Sequence, residues 1–367
     1  MDKRTYISWK FIEKFMVEAF KKVGIPEEDA YVCADVLMES DRRGIESHGV
    51  NRFKAIYIDR ILAGIQKPVT QIDVLKETPT TAVLDANDGM GMVVSKKAMQ
   101  MAINKAKTFG MGMVAVRNST HYGIAGYYAT MASDAGMIGI TGTNARPSIA
   151  PTFGVENMLG TNPLTFGLPT DEEFPFVLDC ATSITQRGKI EYFAKVGKDT
   201  PEGMVVGRDG LPKTDSNQIL KDLVKGEAAL APLGGIGEEL AGYKGYGYAT
   251  IVEILSAALQ TGNFLKMLTG RDRSGKQVPF HLGHFFIAID TEAFMGLESF
   301  KKTSGDILRE LRNSTKAPGE EKIFTAGEKE YIIWQERKIK GLPLTKASMD
   351  DLRKVNAMLD LNIELPF

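Results

Sequence analysis

Cysteine, histidine and tryptophan are scarce in this chain: 367 residues carry 2 Cys, 4 His and 2 Trp. The two cysteines, Cys33 and Cys180, lie far apart in sequence. That spacing excludes a disulfide framework and points to a reducing compartment. Long apolar runs are also missing. Residues 1–10 are polar and charged, unlike a secretory leader, and no run approaches the roughly 20 residues of a membrane span. Neither charge sign dominates, with 45 Lys+Arg against 46 Asp+Glu, and no basic stripe stands ready for a polyanion. The expectations are a cytoplasmic protein with no membrane and no nucleic acid among its partners. Two glycosylation-like triplets, at Asn118 and Asn313, are then chance matches.

What is present reads as ordinary globular protein, 43% hydrophobic and 25% charged. Ile12, Met16, Ala19 and Phe20 share one helical face. Gly24 ends that helix, and Pro26-Glu27-Glu28-Asp29 opens a second running towards Ser47. A third runs from near Val50 to Gly64. From Thr80 the pattern alternates. Strands are predicted at Thr81–Asp85, Met113–Arg117, Met137–Thr141, Leu164–Leu168 and Phe176–Asp179, with helices after Gly91 and from Ile124 to Asp134. A mixed α/β core follows. Residues 195–237, rich in Gly, Pro, Lys and Asp, read as long loops. A helix near Tyr248–Leu259, a strand at Phe285–Asp290, a helix from Ser299 and a terminal helix near Met349–Asp360 complete the pattern.

Four stretches carry chemistry. In Glu46-Ser47-His48-Gly49-Val50-Asn51-Arg52 a helix would put His48 and Arg52 on one face, at i and i+4. A guanidinium can hold a carboxylate through paired, charge-assisted hydrogen bonds while an imidazole exchanges a proton nearby. Taken alone, the spacing favours a plain helix junction capped at Gly49. Asn118-Ser119-Thr120-His121-Tyr122-Gly123 follows a strand, where α/β proteins place ligand chemistry, though Ser119 or Thr120 equally suits a helix N-cap. Gly160-Thr161-Asn162-Pro163 and Leu178-Asp179-Cys180-Ala181-Thr182-Ser183 bring a carboxylate to a strand end, which can orient a histidine, meet a ribose or cap a turn. Gly242-Tyr243-Lys244-Gly245-Tyr246-Gly247 opens a helix with glycines and a cation suited to phosphate, although it is no P-loop.

Two motifs carry less than they suggest. Gly89-Met90-Gly91 lacks the third glycine of a dinucleotide fingerprint, Val94 standing in its place, and reads as a structural turn. His281 and His284 lack a third ligand for zinc and read as core or turn residues, so no metal site is expected.

Together, in this order, the stretches resemble the malate/L-lactate dehydrogenase family, which also holds sulfolactate, ureidoglycolate and diketogulonate dehydrogenases. The likeness runs from the first helices to the Pro318-Gly319-Glu320 loop. It implies a non-Rossmann α/β nicotinamide-binding domain with a largely antiparallel sheet flanked by helices, over residues 76–298. A helical arm over 1–75 and a C-terminal helical segment over 299–367 pack together beside it, in a homodimer.

The resemblance implies Ser47, His48, Arg52 and Thr161 for the substrate. His121, Thr161, Asn162, Asp179, Ala181, Lys244 and Gly245 fall to the cofactor, together with Pro318–Glu320. His121, His48 and Asp179 are the catalytic candidates, with His121 preferred as acid/base and His48 second. Gln260–Asn263 and residues 263–280 depart from the family pattern, which leaves the local loop shape open. The implied reaction is hydride transfer between NAD or NADP, NAD preferred, and a small 2-hydroxy acid, malate first. L-lactate or sulfolactate oxidation, reduction of a cyclic imino acid and a non-catalytic ligand-binding dimer are the alternatives.

Overall fold

A computed structural model describes residues 4–367; Met1–Lys3, the head of the polar N-terminal stretch, lie outside the described residues. Strand β1 (Thr5–Ile7) leads into α1 (Trp9–Lys22), whose buried face includes Ile12, Met16, Ala19 and Phe20 as the periodicity predicts. Helix α2 (Glu27–Arg42) starts with three acids in its first turn, where they oppose the helix dipole. It stops at Arg42, short of Ser47. Ser47 and His48 therefore sit in a turn, and only Arg52 is helical, at the end of α3 (Val50–Arg52). A π-helical stretch (Phe53–Ile58) and α4 (Asp59–Leu62) continue from it. The turn is locked by Asp41, which accepts a 2.7 Å hydrogen bond from Val50 N. A Cβ on Gly49 would lie 2.1 Å from that carboxylate, so only glycine fits there.

The sheet follows: β2 (Asp73–Glu77), β3 (Thr81–Asp85), helix α5 (Gly91–Phe109), β4 (Met111–Ser119), helix α6 (Ala125–Asp134), β5 (Met137–Thr143), β6 (Leu164–Leu168) and β7 (Phe176–Cys180). Helix α5 faces the sheet with Val94, Ala98, Ala102 and Ala106, all fully buried. After α7 (Arg187–Lys195), the stretch read as long loops instead holds β8 (Val205–Gly207), α8 (Ser216–Lys225) and β9 (Ala228–Leu230), a small unit. Its strands are three residues each, too short to show alternation, yet every one of those residues is buried. Asp215 caps α8 through Gln218 N at 2.9 Å.

Helix α9 (Gly242–Ala257) crosses to β10 (Leu282–Asp290), which inserts between β4 and β5. The sheet order is β2-β3-β4-β10-β5-β6-β7, and only the β3–β4 pair is parallel. The expected largely antiparallel, non-Rossmann sheet is the one observed. Because β4, β5 and β7 run alike and β6 and β10 run oppositely, the ends of β4, β5 and β7 and the starts of β6 and β10 share one end of the sheet.

Helix α10 (Leu297–Asn313) ties to the β6–β7 turn through Arg309–Asp171 (2.9 Å). Helix α11 (Glu328–Lys340), β11 (Leu342–Leu344) and α12 (Lys346–Met358) return to the arm. There β11 pairs with β1, and Arg337 bonds both Asp41 O and Glu46. Phe15, Phe53, Tyr57, Leu342, Leu352 and Val355 lie in one shared core. Burying such side chains contributes about 1.5–3 kcal/mol each, so the two chain ends stabilise each other.

Candidate active site

The shared end of the sheet collects most of the stretches singled out above. The Asn118–Gly123 stretch leaves β4, Gly160–Pro163 enters β6 and Ala181–Ser183 leaves β7. The arm supplies the rest. His48 stacks over His121 with ring centroids 5.8 Å apart and planes at 22°. The Ser47 hydroxyl lies 2.8 Å from His48 Nδ1. Arg52 is exposed, and its Nε donates to Ser47 O at 2.6 Å. Its two terminal amino groups face no partner among the described residues, which leaves the planar fork open for an anion.

His121 is held from the other side by a residue the motifs did not single out. The Tyr57 hydroxyl is 2.6 Å from His121 Nδ1, and Gly123 N donates to the same nitrogen at 3.2 Å. A backbone N–H can only donate, so Nδ1 acts as the acceptor and the ring proton sits on Nε2. Burial lowers the His121 pKa well below the ordinary value, and His48, Arg60 and Arg52 lower it further. Burial, then Arg52, lowers the His48 pKa to about 4. Both rings are therefore neutral near pH 7 and able to exchange a proton. Tyr57 is fully buried among Phe20 and Phe53, and no local pattern in the sequence marks its hydroxyl.

Asp179 does not orient either histidine. Its oxygens accept from Gly126 N (2.7 Å) and the Thr165 hydroxyl (3.0 Å), which caps the start of α6 beside the His121 stretch. Loss of solvent raises its pKa, and the Gly126 hydrogen bond opposes this. Thr120 corrects another expectation. Its hydroxyl accepts from Gly91 N at 2.9 Å and donates to Gly89 O at 2.8 Å, so it plugs the start of α5 rather than capping α6. The Gly89-Met90-Gly91 turn is thus structural, as read.

Residues expected to hold the cofactor fall into a strip. Thr182 N donates to Thr161 O, and Leu233 N donates to Thr182 O. Gly245 lies on Leu233, where a Cβ would come within 2.2 Å of its carbonyl. The glycine there serves helix-to-loop packing. Asn162 is packed in as well. Its side chain is fully buried, donates to Ala249 O and Glu253, and accepts from Ala145 N, so it is a structural tie with no donor left for a cofactor. Lys244 is exposed and without a carboxylate partner. Pro318, Gly319 and Glu320 form an exposed turn closed by Glu320 N to Ala317 O. His284 lies in the core, its nitrogens taken by Thr143 (2.7 Å) and Ser119 (2.8 Å), while His281 pairs with Asp88 at 2.7 Å.

A neutral histidine beside an open guanidinium, at one end of a largely antiparallel sheet, is chemistry suited to a small carboxylic acid. Residues 7–353 match the malate/L-lactate dehydrogenase family. The chain belongs to that family and is an enzyme of the 2-hydroxy acid dehydrogenase type, using a nicotinamide cofactor. It is 43% identical to the malate dehydrogenase of Pyrococcus horikoshii over 93% of this chain and 92% of that one. It is 40% identical to the L-sulfolactate dehydrogenase of Methanocaldococcus jannaschii over 96% of each. The crystal structure of malate dehydrogenase from Entamoeba histolytica superposes with a TM-score of 0.94, at 45% identity, covering 99% of this chain and 100% of that one.

The strip fits such a cofactor. Ser183 Oγ is buried with no protein partner, and a buried hydroxyl left open invites a ligand atom. With Lys244 it offers a donor and a cation to a ribose and pyrophosphate.

Proposed function

We propose that the enzyme interconverts (S)-malate and oxaloacetate with NAD. The observation that carries this reading is the open Arg52 fork beside His121, a neutral imidazole held by Tyr57. Arg52 grips the C1 carboxylate and sets the C2 hydrogen towards the cofactor strip, and this fixed geometry supplies much of the rate. A bound nicotinamide supplies the hydride acceptor or donor. Nε2 of His121 exchanges the proton with the C2 oxygen. In oxidation Nε2 accepts the C2 hydroxyl proton only after the ring proton moves to Nδ1, where the Tyr57 hydroxyl turns to accept it and the Gly123 N–H bond is given up. In reduction the doubly protonated ring gives its Nε2 proton to the 2-oxo oxygen and returns to the neutral form. His48 and Ser47 hydrogen-bond the carboxylate or the C2 oxygen. Asp179 acts at a distance, by fixing the start of α6. Thr161, Ala181 and the Pro318–Glu320 turn would contact the bound cofactor, and Lys244 would pair with its pyrophosphate.

The working unit is a homodimer in the cytoplasm. Helix α9 supports the dimer: it is apolar all round, as buried helices are, yet Tyr248, Ile251 and Ile254 are exposed in the single chain.

A panel of malate, L-lactate, sulfolactate and a cyclic imino acid, run with NAD and NADP, tests the reading. Malate with NAD should give the highest kcat/KM. Preference for the imino acid would move the reaction to C=N on the same scaffold. In the same assay His121→Ala should cut kcat by about 100-fold or more; near-normal turnover there, with His48→Ala inactive, would exchange the two histidines' roles.

A further inference from the structure

A cleft of about 400 Å³ is lined by Arg60, Arg146, Arg271, Phe280 and Asp59 among others. Arg60 stacks on the Phe280 ring, 4.4 Å from its centroid, and has no carboxylate partner among the described residues. Arg146 leaves β5 at the shared end of the sheet, is exposed, and likewise pairs with no acid. The acid in the cleft is already paired: both Asp59 oxygens bond Lys54 Nζ at 2.8 Å. Arg271 is at the rim, donating to Gly275 O at 2.7 Å.

Two unpaired guanidinium groups in one concavity repel each other. After burial, which dominates, Arg146 and Arg52 help lower the Arg60 pKa, so the three arginines share one field. That field reaches the reaction centre, since Arg60 also acts on His121 and Tyr57. Arg60 follows Tyr57 by three residues, about one helical turn, and Tyr57 holds His121. A folded chain keeps such uncompensated charge in a cleft when an anion completes it.

We propose that Arg60 and Arg146 bind a second anionic group, carried on C3 of the 2-hydroxy acid, while Arg52 holds the C1 carboxylate. The chemical class is a carboxylate or sulfonate one carbon beyond the reacting centre. The enzyme would thereby favour dianionic over monoanionic 2-hydroxy acids. This assignment rests on the 2-hydroxy acid reading of the His121 site. The segment that departs from the family pattern, residues 263–280, contributes Arg271 and Phe280 to the cleft.

The test measures kcat/KM of the full-length enzyme for malate, sulfolactate and L-lactate, in wild type, Arg146→Ala and Arg60→Gln. The malate-to-lactate ratio should fall by about 30-fold or more in each variant, because a lost charged hydrogen bond is felt only by substrates that use it. Sulfolactate falling with malate identifies a general anion site; malate falling alone identifies a carboxylate site. Equal losses for malate and lactate would overturn the assignment while leaving the malate reading intact. Calorimetric binding of succinate, which cannot react, separates the converse case. Succinate bound tightly by wild type and weakly by Arg146→Ala supports the cleft even if malate is not turned over. Arg146 is exposed, so that variant should fold; if Arg60→Gln does not, Arg146→Ala decides alone.

Discussion

The Tyr57 hydroxyl lies 2.6 Å from His121 Nδ1, linking the buried core of the arm to the imidazole at the end of β4. Tyr57 is a positioning residue: it touches the histidine and acts on the substrate through it.

Tyr57→Phe keeps the ring volume and removes only the hydroxyl. Turnover should fall by about 10- to 100-fold with little change in substrate KM, since the ring's orientation and tautomer are affected rather than carboxylate binding. Steady-state kinetics beside a thermal melt checks this. A large loss of fold stability with normal kcat would assign Tyr57 to the core alone.

The histidine pair predicts an unusual pH profile. A base must be neutral to accept a proton, and burial holds the His121 pKa well below 6.5, with His48 at about 4. The acid limb of kcat/KM for oxidation should therefore lie well below pH 6.5 rather than at it. A limb centred at or above 6.5 would show that the ring is better solvated than this geometry allows.

Asp41 links pH to stability. Burial raises its pKa from 3.8 to about 7 in the folded chain, against the opposing Val50 hydrogen bond. A raised folded pKa favours the protonated form, so its contribution is fully present below about pH 4 and is lost as pH rises to about 7. Asp41→Asn keeps an acceptor for Val50 N and cannot ionise. Wild type should lose on the order of 2–4 kcal/mol relative to this variant between pH 4 and 8, read from denaturant melts. Parallel profiles would mean that the carboxylate stays solvated or paired.

The glycines of the α9 motif should separate by position. A Cβ at Gly245 meets Leu233 backbone at 2.2 Å, whereas one at Gly247 meets nothing within 4 Å. Gly245→Ala should cost about 1–3 kcal/mol and weaken nicotinamide binding, because the strip through Thr182 and Leu233 must shift. Gly247→Ala should stabilise by about 0.5–1 kcal/mol, as alanine suits a helix interior better. Equal effects would deny the packing role of Gly245.

Much of this was legible along the chain. Periodicity located α1, α5, β6 and β10, because each is long enough to bury one face and show it. The ordered motifs marked Ser47, His48, Arg52 and His121. Reading failed where elements are short or irregular: β8 and β9, three residues each, leave too few positions for alternation, and α2 stops five residues before Ser47. It also failed where type hides environment. The Asn162 side chain is a buried tie and Gly245 packs on Leu233, and neither residue type announces it.

By itself, the sequence determined the α/β class, the helical arm and the family of the reaction, because local propensity and motif order are properties of neighbours along the chain. Only tertiary structure decided that Tyr57 meets His121 across 64 positions, that Asp179 caps α6, and that Arg60 and Arg146 face one cleft. Those relations depend on β10 inserting between β4 and β5 and on the C-terminal helices closing over the arm. Both follow from burial of apolar faces far apart in sequence, which no local pattern records.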